Sequence, residues 1–138
     1  MISKTSSIKS IQQKISKAEY KEAIGLIEKH KKDLIELDYW YYLALCLRYQ
    51  AKYKDAILVL GNCLRVDSNF ARAYQEFGHN YAKINDHKMS LKSYLRAVKF
   101  NPTLHASWLG ILTIENLQKD IEELATQNVI YLKNLPPE

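Results

Sequence analysis

Apolar residues recur at three- and four-residue intervals along most of the chain. Trp40, Leu43, Ala44 and Leu47 stand at i, i+3, i+4 and i+7, the spacing of one face of an amphipathic helix. The pattern returns at Tyr74, Phe77, Gly78 and Tyr81, and begins again at Trp108, Ile111 and Leu112 before lapsing at Glu115. A second set behaves alike, with Ala56, Leu60 and Cys63 reappearing as Ser90, Tyr94 and Ala97. The offset is 34 residues each time and needs no gap, so the chain reads as a helical repeat with two helices per period. Polar turns are expected at Tyr49–Lys54 and Ile84–Lys88, with Asp86 capping a helix from His87 to Lys99. Asn101-Pro102-Thr103 ends that helix and opens the next, because proline blocks continuation but tolerates a first turn. Asp67-Ser68-Asn69 has the same role 34 residues earlier. Small residues at Ala44 and Gly78 let the second helix of a pair come close, met by Ala56 and Ser90 from the other side.

These positions resemble the tetratricopeptide repeat, whose signature runs W-x-x-L-G-x-x-Y, then A-x-x-x-F, then P. Residues 71–104 carry Tyr74, Phe77, Gly78, Tyr81, Ser90, Tyr94, Ala97 and Pro102 at the signature places. Residues 37–70 form a second good copy, with Ser68 where the proline would stand. Residues 5–36 make a weaker copy: Ala23 and Ile27 match Ala56 and Leu60, and Ile8, Ile11 and Ile15 align with Trp40, Leu43 and Leu47 after one turn residue is deleted. Residues 105–138 diverge most, and a second helix from Lys119 to Lys133 needs one inserted residue to align Ala125, Val129 and Leu132. Atypical end copies suit a stacked array, whose outer faces meet water. The resemblance implies an all-α, right-handed α-solenoid of about four helix–turn–helix repeats, about eight helices in all, spanning 1–138 as one repeat domain. Trp40 and Trp108, each heading a copy, are expected to be buried at the seams between helices.

Composition narrows the function classes. The chain is 47% apolar and 25% charged, with only 4 Gly and 3 Pro, the balance of a folded domain. No apolar run is long enough to span a bilayer, and the first residues lack a secretory pattern. Cys46 and Cys63 form neither a disulfide framework nor a C-x-x-C pair; they read as core filler in a cytoplasmic protein. The net charge of +5 is uneven: +3 over 1–36, +1 over 37–70, +4 over 71–104 and −3 over 105–138. No block of five like charges and no basic stripe stands out, which argues against nucleic acid as a partner despite ten tyrosines.

No catalytic constellation is found. Gly25, Gly61, Gly78 and Gly110 are isolated, so no phosphate-cradling loop exists, and there is no G-x-S-x-G turn. Glu76-x-x-His79 has the spacing of one half of a di-metal carboxylate site, but a second such pair is missing. No metal and no cofactor is expected, and the chain by itself is not an enzyme. His30, His87 and His105 fall in turns or at helix ends, where they are expected to face solvent.

In a tetratricopeptide array the first helix of each unit lines a concave groove. The resemblance places Tyr41, Leu45 and Tyr49 on that wall in the second unit and Arg72, Gln75 and His79 in the third, with Lys9 and Gln13 in the first. A wall of this composition offers apolar area with hydrogen-bonding tips, suited to a peptide or a helix. The expected role is a non-catalytic scaffold for protein–protein interaction. One subtype grips chaperone carboxyl termini with Lys, Asn and Arg; here Tyr41 and Leu45 stand at two of those places, and Glu76 would repel a carboxylate. A narrower resemblance links Asn69 through Glu76, Gly78-His79, Ala106-Ser107-Trp108 and the ending Tyr131-Leu132 to Leu135-Pro136-Pro137-Glu138 with bacterial tetratricopeptide sulfotransferases. It implies, as the alternative, a helical region that precedes a catalytic domain absent from these residues.

Overall fold

A computed structural model describes residues 4–136; Met1-Ile2-Ser3 and the closing Pro137-Glu138 lie outside it. Eight helices follow one another: α1 Lys4–Ser16, α2 Tyr20–Lys29, α3 Glu36–Tyr49, α4 Tyr53–Val66, α5 Ala71–Lys83, α6 His87–Phe100, α7 His105–Leu112 and α8 Lys119–Lys133. No strand occurs among the described residues. The chain divides into two compact units, Met1–Ser68 and Asn69–Glu138, each built from two helix pairs. In the first, α2 packs on α1 and α3, and α3 on α4; in the second, α6 packs on α5 and α7, and α7 on α8. The helix boundaries follow the sequence closely. Asp86 Oδ1 accepts the backbone N–H of Met89 at 3.1 Å, capping α6 as its position dictates. Asn101 Oδ1 accepts both the N–H and the hydroxyl of Thr103, forming the turn that separates α6 from α7.

The turns within the first three pairs are copies of one another. Ala18, Ala51 and Asn85 all sit in the left-handed region, at φ 59°, 61° and 63°. The N–H of each following residue reaches back five positions, Glu19 to Lys14, Lys52 to Leu47 and Asp86 to Tyr81, each at 2.9 Å. This is the hydrogen bonding that closes a helix through a left-handed residue, a place usually given to glycine. It also corrects the register expected for the first copy. Lys14 matches Leu47, so α1 aligns with α3 without a deleted turn residue, and Ile11 rather than Ile8 or Ile15 lies near the small-residue place of Ala44. A bond spanning a fixed number of residues cannot survive the loss of one.

Each unit has its own core. In the first, Ile11, Ala23, Ile27, Leu34, Tyr39 and Cys46 form one buried cluster. In the second, Tyr94, Val98, Trp108, Ile111, Ile114 and Ala125 do so. The second is organised around the Tyr94 ring, which is only 3% exposed. A Cβ at Gly78 would stand 2.5 Å from that ring, and one at Gly110 would stand closer still. Glycine is therefore required on both sides of it. Ser90 Oγ donates to the Gly78 carbonyl at 2.9 Å, which fixes the close approach of α5 and α6. The small-residue reading of Gly78 and Ser90 holds, and Gly110 joins it.

The two tryptophans differ. Trp108 is buried, 5% exposed, and its indole N–H donates to the Pro102 carbonyl at 2.8 Å. Trp40, expected to be buried likewise, is only half-buried. Its neighbour Tyr39 takes the interior place and donates to Glu28 Oε1 at 2.7 Å, while Trp40 meets the Tyr39 ring at 76°. An open pocket of about 270 Å³, lined by Lys31, Leu34, Glu36, Tyr39 and Trp40, leaves that indole uncovered on one side.

Candidate functional site

Within the first unit, α3 carries Tyr41, Leu45 and Tyr49 at i, i+4 and i+8, a run of about 12 Å along one helix face. Tyr41 and Leu45 are half-buried, and Tyr49 is 48% exposed. Tyr49 nonetheless has a fixed setting. Its ring stacks on Tyr20 with centroids 5.2 Å apart and an angle of 7°, and the Arg48 guanidinium lies 4.5 Å from its centroid. Tyr41 meets Tyr42 edge-on at 5.4 Å. Tyr42 in turn accepts a hydrogen bond from Gln12 Nε2 at 2.8 Å, tying α3 to α1. The result is an aromatic face whose rings are braced by their neighbours before any ligand arrives.

Within the second unit, the three expected residues on α5 separate. Arg72 is exposed. Gln75 is half-buried and accepts the Ser107 hydroxyl through Oε1 at 2.7 Å, linking α5 to α7. His79 is half-buried, and its Nδ1 lies 2.6 Å from the Tyr94 hydroxyl. Gln75 and His79 thus hold the unit together, and Arg72 alone of the three projects without such a bond. The neighbouring helices that consume Gln75 and His79 could not be read from their own sequence positions.

Three further expectations are corrected. Glu76 is 2% exposed, so it presents no charge to a ligand on that face. His30 is buried instead of solvent-facing; the N–H groups of Asp33 and Leu34 return to its carbonyl, and that bend covers the ring. A basic stripe does exist: Lys88, Lys92, Arg96 and Lys99 are all exposed on α6. It escapes a search for consecutive charges because its members are three or four residues apart.

The cysteines are core residues, as expected. Both are free and fully buried, and burial pushes the thiol of Cys46 up to about 11 and that of Cys63 to about 12. Burial, reinforced by Glu28, likewise raises the Tyr39 phenol to about 12. At the surface, hydrogen bonds from Arg65 and then Trp40 hold the Glu36 carboxyl below its usual range. Among the described residues no group of three or more His, Cys, Asp or Glu side chains could hold a metal ion. No helix among them is long and apolar enough to cross a membrane.

Comparison with known proteins agrees with the repeat reading. The family model described as tetratricopeptide repeat matches residues 71–104, the copy with the most complete signature. Anaphase-promoting complex subunit 3 of Schizosaccharomyces pombe is 25% identical over 72 residues, which is 52% of this chain and 11% of that protein. The chain thus spans about a tenth of the length of that relative. Among solved structures, MamA 41-end from Desulfovibrio magneticus RS-1 superposes with a TM-score of 0.71 at 20% identity, covering 94% of this chain and 75% of that one. That likeness is one of fold. The signature, a helix pair and the family match fall together on residues 71–104, which form a tetratricopeptide repeat.

Proposed function

We propose that the chain is a non-catalytic scaffold that binds a peptide or a helix of another protein through the face of α3 that carries Tyr41, Leu45 and Tyr49. The observation that carries this reading is the braced aromatic face of α3. Tyr49 is half-exposed yet stacked on Tyr20 and covered by Arg48, with Tyr41 and Leu45 along the same face. Ordering an exposed tyrosine normally opposes binding, and here folding has already done so. In the second unit, Arg72 on α5 is by itself an exposed cation suited to an acidic group. Tyrosine and arginine are also the residue types that most often dominate interfaces. Two free, buried cysteines fit a reducing compartment, and the proposal extends to a cytoplasmic location.

The test is a peptide-display selection on the immobilised chain, followed by calorimetric titration of the selected peptides. Tyr41→Ala and Tyr49→Ala should each weaken them by about 2 kcal/mol, roughly thirtyfold, with little change in melting temperature. Selected peptides indifferent to both variants would remove the α3 face from consideration.

A further inference from the structure

The helix α6 contains no acidic residue, and its cations are ordered. At 100° per residue, Lys88, Lys92, Arg96 and Lys99 fall within a sector of about 80° and extend roughly 16 Å along the helix. All four are exposed, and none forms an ion pair among the described residues. The charged ends of Arg96 and Lys99 lie over aromatic rings, the Arg96 guanidinium 5.9 Å from the Tyr74 centroid and the Lys99 ammonium 5.8 Å from that of Phe100. The two acids of residues 71–104 do not offset the stripe: Glu76 is buried, and Asp86 is engaged as the cap of α6. Like charges one turn apart repel, so the arrangement is held at some cost to the helix.

What runs beside the cations distinguishes the kinds of anion. Leu91 and Leu95 lie beside that sector, about 60° and 20° outside it; both pack on the core and are half-buried, so what remains of their surface borders the charged strip. A phosphodiester backbone gains nothing from leucine, and single-stranded nucleic acid would require stacking rings along the strip. Only Phe100, at one end of α6, is both aromatic and appreciably exposed there. The stripe is also a single helix wide, with one cation for each turn. An acidic amphipathic helix matches the strip and its border, with carboxylates one turn apart beside a line of leucines.

We propose that the exposed face of α6 is a second docking surface, for an acidic amphipathic helix of a partner protein. It does not depend on the tyrosine face of α3. The probe is a synthetic helix of about four turns with Glu at i, i+4, i+8 and i+11 and Leu at the positions flanking them. Fluorescence anisotropy with the intact chain should show saturable binding that weakens with salt. The double variant Lys92→Glu/Arg96→Glu, with its fold checked by circular dichroism and melting, should lose at least tenfold in affinity. Tyr41→Ala should bind the probe unchanged. Replacing the probe's leucines by serine should weaken it threefold or more, and replacing its glutamates by glutamine should abolish binding. The proposal is overturned if the double variant binds as well as the parent, or if the serine probe binds equally. It is overturned also if a uridine 20-mer or phosphatidylserine vesicles compete more strongly than the peptide, since the surface would then serve a polyanion of another class.

Discussion

The Tyr94 ring shows how far a single residue can dictate its surroundings. It is flanked by two positions where even one added methyl group has no room, Gly78 and Gly110. Gly25 and Gly61 are also helical, yet a Cβ at either would meet nothing within 4 Å. The same substitution should therefore act in opposite directions. Gly78→Ala and Gly110→Ala should each destabilise by about 1–3 kcal/mol, because a buried ring pinned at its hydroxyl by His79 cannot step aside. Gly25→Ala and Gly61→Ala should stabilise by about 0.5–1 kcal/mol, through helix propensity and a less flexible unfolded chain. Urea unfolding of the four variants checks both halves; equal effects at all four would refute the packing described around Tyr94. Gly78 was legible from the repeat signature. Gly110 was not, because its partner ring belongs to another helix pair, 16 residues earlier in the chain.

At the level of elements, the sequence was most informative where a side chain acts on backbone close to it in the chain. Asp86 and Asn101 act through their own side chains on backbone two or three residues away, so their roles follow from local spacing. The left-handed turns at Ala18 and Ala51 carry no such mark. Alanine there opposes the conformation that the turn requires, by about 1–2 kcal/mol for a residue bearing a Cβ. Ala18→Gly and Ala51→Gly should consequently raise stability by about 0.5–1 kcal/mol after the added freedom of the unfolded chain is subtracted. Asn85, of a type that visits this region more readily, should gain less from the same change. Thermal melts of the three glycine variants would settle it, and a loss of stability at Ala18 or Ala51 would contradict the turn geometry.

Across the whole molecule, burial of titratable groups couples stability to alkaline pH. The Cys46 and Cys63 thiols have ordinary values of 9.0 and the Tyr39 phenol 10.0, and in the fold they are raised to about 11, about 12 and about 12. The unfolded chain therefore loses these protons first, and binds fewer protons than the native state above pH 9. The stabilisation is complete below that pH and falls as pH rises through 11 toward 12. Urea midpoints should thus be flat from pH 6 to 8 and drop between pH 9 and 11, with a smaller drop in Cys46→Ala/Cys63→Ala. Midpoints unchanged to pH 11 would show that the thiols are not held neutral. The sequence by itself determined the period, the pairing of helices, the cap at Asp86 and the burial of both cysteines. Each depends on residues close in the chain, or on an apolar position repeated often enough to be recognised. The tertiary structure alone decided that Tyr39 displaces Trp40 from the interior, that Gln75 and His79 are taken by Ser107 and Tyr94, and that four scattered cations share one face of α6. Those outcomes depend on which side chains from different helices arrive at the same space, and no local spacing encodes that competition.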